Sequence, residues 1–190
     1  MPHLSVADAL DTIARELDNV LDALRRTDGA PWERAVALLT EADRVFVHGA
    51  GRSGLALRST AMRLMHLGLT VHVVGEVTTP AIARGDVLLV ASGSGTTGGI
   101  VQASRAAADV GARVLALSTT DDSPLSEIAD TTLVIPAATK TDRSGTASAQ
   151  YAGSLFEQSV GLVGDALFHT MWQRSGQSAA DLWPRHANLE

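Results

Sequence analysis

Cysteine is absent from the 190 residues. That removes disulfides, thiolate nucleophiles, iron–sulfur clusters and cysteine-ligated zinc together, and it leaves a reducing compartment unopposed. Lysine is nearly absent: of 15 basic residues, 14 are arginine and only Lys140 is lysine, so Schiff-base chemistry has a single candidate. Positive charge is not in excess either. A net charge of −6 argues against the nucleic-acid phosphate backbone as a main partner. No apolar run approaches the roughly 20 residues needed to span a membrane. The first residues, MPHLSVADALD, lack the basic stretch that precedes the apolar run of a secretory signal. Internal repeats and low-complexity tracts are missing. These absences leave a soluble, cytoplasmic protein that handles a small molecule, with no membrane and no nucleic acid as partner.

Apolar residues make up 45% and charged residues 19%, a globular balance. A chain of this length suits one domain and buries roughly 70% of its unfolded surface. Residues 1–42 read as helix. Leu10, Ile13, Leu17, Val20, Leu21 and Leu24 fall at three- and four-residue spacing. Asp28-Gly29 breaks the pattern, and Pro31 stands where the first turn of a second helix, Trp32 to Ala42, begins. The apolar stripe needs a cover, either its own domain or a neighbouring subunit.

From residue 43 the pattern changes to strands and helices in alternation. Strands are expected at Arg44–His48, Leu69–Val74, Asp86–Ala91, Arg113–Leu117 and Thr131–Ile135. Helices are expected at Gly54–Leu67, Thr97–Val110 and Ala152–Trp172, with a helical turn near Ser123-Pro124 and a polar loop from Lys140 to Ala149. The run DVLLVA (86–91) is apolar almost throughout, as a strand covered on both faces is. Alternation of this kind predicts an α/β fold, a three-layer αβα sandwich on a five-stranded parallel sheet, with the N-terminal helices as an appendage.

In open parallel sheets, ligands collect beyond the carboxyl ends of the strands. Two strand ends here carry glycine-rich turns. Gly49-Ala50-Gly51-Arg52-Ser53-Gly54 fits G-x-G-x-x-G between a strand and a helix, and Glu76 falls about where a ribose-binding acid would. That is a dinucleotide fingerprint if it stands alone. Ser92-Gly93-Ser94-Gly95-Thr96-Thr97 follows the third strand and opens a helix. Its hydroxyls and flexible glycines meet the free N–H groups of a helix start, which suits a phosphate dianion. Ser and Thr also make plain helix caps, but one hydroxyl satisfies a cap and four are present. A second phosphate-type loop in so short a chain favours a phosphorylated sugar over a dinucleotide. One loop would hold phosphate, and Arg52 and Ser53 of the other would meet hydroxyls.

The loop from Ser92 to Thr97 resembles the S-x-S-G-x-T phosphosugar loop of the sugar isomerase (SIS) domain family. VHGAGRSG (47–54), AMRLMHLG (61–68), VGEVTTP (74–80), GSLFEQ (153–158) and RHANLE (185–190) extend that resemblance along nearly the whole chain, toward the members that act on a hexulose phosphate. One departure is visible: Gln150-Tyr151-Ala152 stands where the family usually shows Gln-Pro-Met. The resemblance implies interconversion of D-arabino-hex-3-ulose 6-phosphate and D-fructose 6-phosphate without a cofactor, with another phosphosugar isomerase of the family or a non-enzymatic phosphosugar-binding module as the alternatives. It also implies a homotetramer, a place in the ribulose monophosphate route, and pairing there with 3-hexulose-6-phosphate synthase.

Moving a carbonyl from C3 to C2 needs a base for the C2 proton and an enediol between. A partly desolvated carboxylate serves such a step. Glu157, beside Phe156 in the segment that resembles the family's catalytic one, is the candidate; a surface Glu near a helix N-terminus is the plain alternative. His186, in Arg-His-Ala-Asn, is the second candidate, because related isomerases bring a His from a neighbouring subunit to aid ring opening or proton relay. His66 either ends a helix or lines the site, and Glu76 either meets a hydroxyl or ends a strand. His48 and Lys140 receive no role. The six histidines show no compact metal-ligand spacing, so no metal is expected.

Overall fold

A computed structural model of the chain describes residues 4–138 and 148–189. Lys140, with most of the polar loop expected around it, lies outside the described residues. The N-terminal helices are α1 (Val6–Arg25) and α2 (Ala30–Glu41). Then follow β1 (Val45–Gly49), α3 (Gly51–Leu67), β2 (Val71–Val73), β3 (Val87–Ala91), α4 (Gly98–Asp109), β4 (Arg113–Ser118) and β5 (Thr131–Val134). A long helix, α5 (Ser154–Ser175), a short one, α6 (Ala179–Leu182), and a 3-10 turn at Trp183–Arg185 end the described chain.

The five strands are parallel and run in the order β2-β1-β3-β4-β5. Chain order reverses between β1 and β3, so a crevice opens beyond their carboxyl ends. Side chains alternate between two cores along each strand. Val45, Val47, Leu89, Leu115 and Leu117 face α2, α3 and α5, whereas Phe46, Leu88, Val90, Val114 and Ala116 face α4. β3 is buried along its whole length, as its unbroken apolar sequence predicts. The expected α/β class and five-stranded sheet are both present. The differences are at ends: β2 keeps three of its six expected residues, α3 starts inside the glycine motif, and α5 runs on to Ser175. The helical turn expected near Ser123-Pro124 is present over 124–128, where the Glu127 N–H donates to the Ser123 carbonyl at 3.1 Å and Ser123 and Ser126 bond each other.

Two packing details position the site. On α5, a Cβ at Gly164 would lie 3.1 Å from Cβ and Cγ2 of Thr60 on α3. The missing side chain therefore lets the two helices touch backbone to side chain at mid-length. The stripe of α1 is buried at Val20 and Leu24 but open at its N-terminal end, where Leu10 is 61% exposed, and Leu4 and Val6 just before it are 75% and 79% exposed.

Candidate active site

The first loop works by close approach. A Cβ on Gly54 would lie 2.8 Å from the Gly49 carbonyl carbon and nearer still to its oxygen. With glycine there, α3 starts flush against the end of β1, and Ala50, Gly51 and Ser53 face the crevice. The second loop is fastened from beneath by the end of β4. The Gly93 carbonyl accepts from the Thr119 N–H (3.0 Å), the Thr119 hydroxyl (2.7 Å) and the Ser118 hydroxyl (3.3 Å). Gly95 has φ +63°, in the region glycine occupies without strain, and its N–H closes a tight turn onto the Ser92 carbonyl at 3.0 Å. A side chain there would run into Ser123.

Hydroxyls of the second loop pair with one another. Ser92 Oγ lies 2.9 Å from Thr97 Oγ1, and Ser94 Oγ lies 2.9 Å from Thr96 Oγ1. Thr97 is the N-cap of α4, yet its side chain makes no capping bond. The helix start therefore keeps its outward N–H groups for an anion, in the geometry that binds phosphates.

These two loops and the first turn of α5 enclose a cleft of about 210 Å³. Ser92, Gly93, Ser94 and Thr97 line one wall. Gly153, Phe156 and Glu157 line the cleft from the start of α5, together with Ala91 and Ala138. The volume falls below the 300–1,000 Å³ of about drug-sized sites and suits a small polar ligand. Phe156 packs its ring edge on Gly93, 3.3 Å from where a Cβ would be, so one side of the cleft is apolar. Glu157 is 25% exposed and lies 3.3 Å from Arg52 Nη1. The same Arg52 nitrogen donates to Ser154 Oγ at 3.1 Å. Arg52 itself is 59% exposed, so this pair adds little stability and leaves the guanidinium available to a ligand.

The candidates from the sequence thus fall into two groups. Gly51, Ser53, Ser92, Gly93, Ser94, Thr97 and Glu157 line one cleft, with Arg52 beside it, bonded to Glu157 and Ser154. Gly95 and Thr96 shape the loop from below and outside. The remaining three are elsewhere on this chain. Glu76 forms an ion pair with Arg58 at 2.7 Å. His66 is buried, its Nδ1 has no hydrogen-bond partner, and the His186 ring stacks on it at 3.9 Å with Trp183 on the outer side at 4.7 Å. Burial, together with His186 and Arg63, holds the His66 pKa below the ordinary imidazole value. His48 sits at the end of β1 beside Arg58, outside the cleft, and burial lowers its pKa as well. Phe156, Gly153 and Ala138 were not foreseen, since apolar and backbone walls carry no chemical signature. Ser118 and Thr119 were also missed, although a hydroxyl cluster at the end of β4 was the available sign. Among the described residues no group of three or more His, Asp or Glu is arranged to hold a metal ion. No described helix is long and apolar enough to cross a membrane.

A doubly wound sheet whose switch point holds this loop pair is the architecture of the SIS domain. The SIS domain model matches residues 38–159, from within α2 to the second turn of α5, and the chain belongs to that family. Within it, the chain is 50% identical over 183 residues to 3-hexulose-6-phosphate isomerase of Mycobacterium gastri, covering 96% of this chain and 92% of that one. It is 38% identical over 148 residues to 3-hexulose-6-phosphate isomerase of Bacillus subtilis, covering 77% and 80%. A crystal structure from Methanococcus jannaschii, reported to infer a molecular function of 3-hexulose-6-phosphate isomerase, superposes with a TM-score of 0.83 at 26% identity, covering 96% and 99%.

Proposed function

We propose that this chain is a 6-phospho-3-hexuloisomerase, interconverting D-arabino-hex-3-ulose 6-phosphate and D-fructose 6-phosphate through an enediol and without a cofactor. One observation carries the reading: a largely shielded carboxylate, Glu157, lines the same small-metabolite-sized cleft as a hydroxyl-rich helix N-terminus. The relatives' names support the same substrate.

In this reading the phosphate is held by the Ser92–Thr97 loop and the α4 N-terminus, where oriented donors and the helix dipole favour a dianion. That anchors one end of the open-chain sugar and brings C2 and C3 toward Glu157. Glu157 takes the proton from C2, the C2–H electrons form the C2=C3 bond and the C3 oxygen gains a proton, which gives the 2,3-enediol; O2 then gives up its proton as the carbonyl forms at C2, and the acid returns its proton to C3. The carbonyl has then moved from C3 to C2. Arg52 and Ser53 meet the sugar oxygens and stabilise the negative charge that develops on them. His186 supports the reaction from a second copy of the chain, because on its own chain it is stacked on His66, outside the cleft lining. The exposed apolar side chains of Leu4, Val6 and Leu10 support an assembly of copies, which we take to be a homotetramer. The enzyme would work in the cytoplasm on the ketose delivered by 3-hexulose-6-phosphate synthase, in the handling of formaldehyde.

The test is a coupled assay for fructose 6-phosphate made from the 3-hexulose phosphate. The native protein turns over. Glu157→Gln loses at least about 10²-fold in kcat and still binds substrate. Tight binding of fructose 6-phosphate with no exchange of its C–H protons into D₂O would mark a binding module and end the proposal.

A further inference from the structure

Nothing in the proposed chemistry uses α1, and the SIS domain match begins only at residue 38. Yet α1 reaches the site through one side chain. The Glu16 carboxylate accepts three hydrogen bonds from the segment that leads to α5: the Ser148 hydroxyl at 2.6 Å, the Ala149 N–H at 2.7 Å and the Gln150 amide at 3.0 Å. Ser148 Oγ in turn accepts the Gln150 N–H at 3.0 Å. A carboxylate suits this position, since it only accepts and can serve several donors at once. Burial pushes the Glu16 carboxyl up, but the bonds from Ser148, Ala149 and Gln150 outweigh it and hold it below the ordinary carboxylate value.

The clasped segment needs such an anchor. No proline stands between 148 and 153 to restrict it. Ala152 has φ +51°, and it is the one non-glycine residue with positive φ among those described; that conformation persists only where its surroundings hold it. The next residue, Gly153, already lines the cleft, and one turn later stands Glu157. Glu16 also borders a cavity of about 120 Å³ with Pro136 and Leu155, so the chain on both sides of the β5–α5 connection comes back to this carboxylate.

We propose that Glu16 is a positioning residue: by clasping residues 148–150 it sets where α5 begins, and so where Glu157 points in the cleft. This rests on the reading of Glu157 as the base.

The experiment uses Glu16→Gln in the full-length chain, a change that keeps side-chain length but puts an NH₂ among three donors. Its kcat falls by about tenfold or more, since misplacement of a reacting group by about 1 Å can cost 10²-fold. KM stays within about twofold, because the phosphate loop does not touch the clasp. The Ala149 amide exchanges faster with solvent, while amides of β3 keep their protection. In the Glu157→Gln background the same change adds less than about twofold, as residues acting through one another do not add. Native kcat in Glu16→Gln would overturn the proposal, and so would an equal loss in both backgrounds, which marks a purely structural role. Near-native turnover in Glu157→Gln alone would remove the base from the mechanism. The kcat of Glu16→Gln and its Ala149 exchange would still decide whether the clasp positions the cleft.

Discussion

The close approach of β1 and α3 makes a sharp test at Gly54. In an exposed helix, glycine to alanine stabilises by up to about 1 kcal/mol. At Gly54 the sign reverses. The new methyl would lie 2.8 Å from the Gly49 carbonyl carbon and closer to its oxygen, and both are backbone atoms that cannot rotate away. Either the α3 start or the β1 end must shift by roughly 1 Å, and overpacking of this kind costs about 1–3 kcal/mol. In a chain of this size that lowers the melting temperature by about 2–12 °C. The site suffers more than the fold, because Gly51, Arg52 and Ser53 lie inside the displaced turn. A shift of about 1 Å there predicts a loss of about 10²-fold in kcat/KM. Gly161→Ala on α5 is the internal control: its methyl would meet only Ala56 Cβ at 4.0 Å, so it should raise stability slightly and leave turnover alone. Thermal unfolding and the coupled assay, run on both variants, read both effects. If Gly54→Ala matches Gly161→Ala in stability and activity, the close approach does not shape the cleft.

The remaining predictions use the same assays. Ser94→Ala removes a hydroxyl of the phosphate-type loop; loss of a bond to a charged group costs about 1.5–3 kcal/mol, so KM rises by tenfold or more, and an unchanged KM argues against phosphate there. His186→Ala and Glu157→Gln are each inactive alone, and mixing unfolded then co-refolded chains restores part of the activity, because some mixed sites draw both groups from intact copies. No recovery on mixing excludes the shared site. For His66, folded-state pKa below its ordinary 6.5 means that the unfolded chain binds the proton more readily. Stability is therefore full above about pH 6.5 and is lost as pH falls from there through the folded pKa. The melting temperature of the native protein falls more steeply between pH 7 and 5 than that of His66→Gln; parallel curves remove His66 as the cause.

Sheet and helices were legible because their signals are periodic and local. DVLLVA has no polar alternation, and β3 is covered on both faces; the glycine turns mark where β1 and β3 end. β2 was overestimated for an equally physical reason. Leu69 and Val74 are apolar, but they pack on the core from outside the ladder, and hydropathy does not distinguish packing from strand pairing. The early start of α3 was hidden because Gly51 and Gly54 look like breakers. Here glycine is required by the contact with Gly49, and the helix begins in spite of its low propensity.

The cleft was legible only where chemistry is written into residue type. Serines, threonines and an acid at strand ends and helix starts announce themselves, and these are the groups that converge. What α1 does could not be read this way. Its stripe at three- and four-residue spacing speaks of burial, and the contact that reaches the site comes from a glutamate separated by more than a hundred residues from its partners. A polar pairing over such a distance has no period and no motif. It exists only once α1 has docked on α5 through Val20 and Leu24, so the apolar stripe that was visible is what brings the invisible carboxylate to its place.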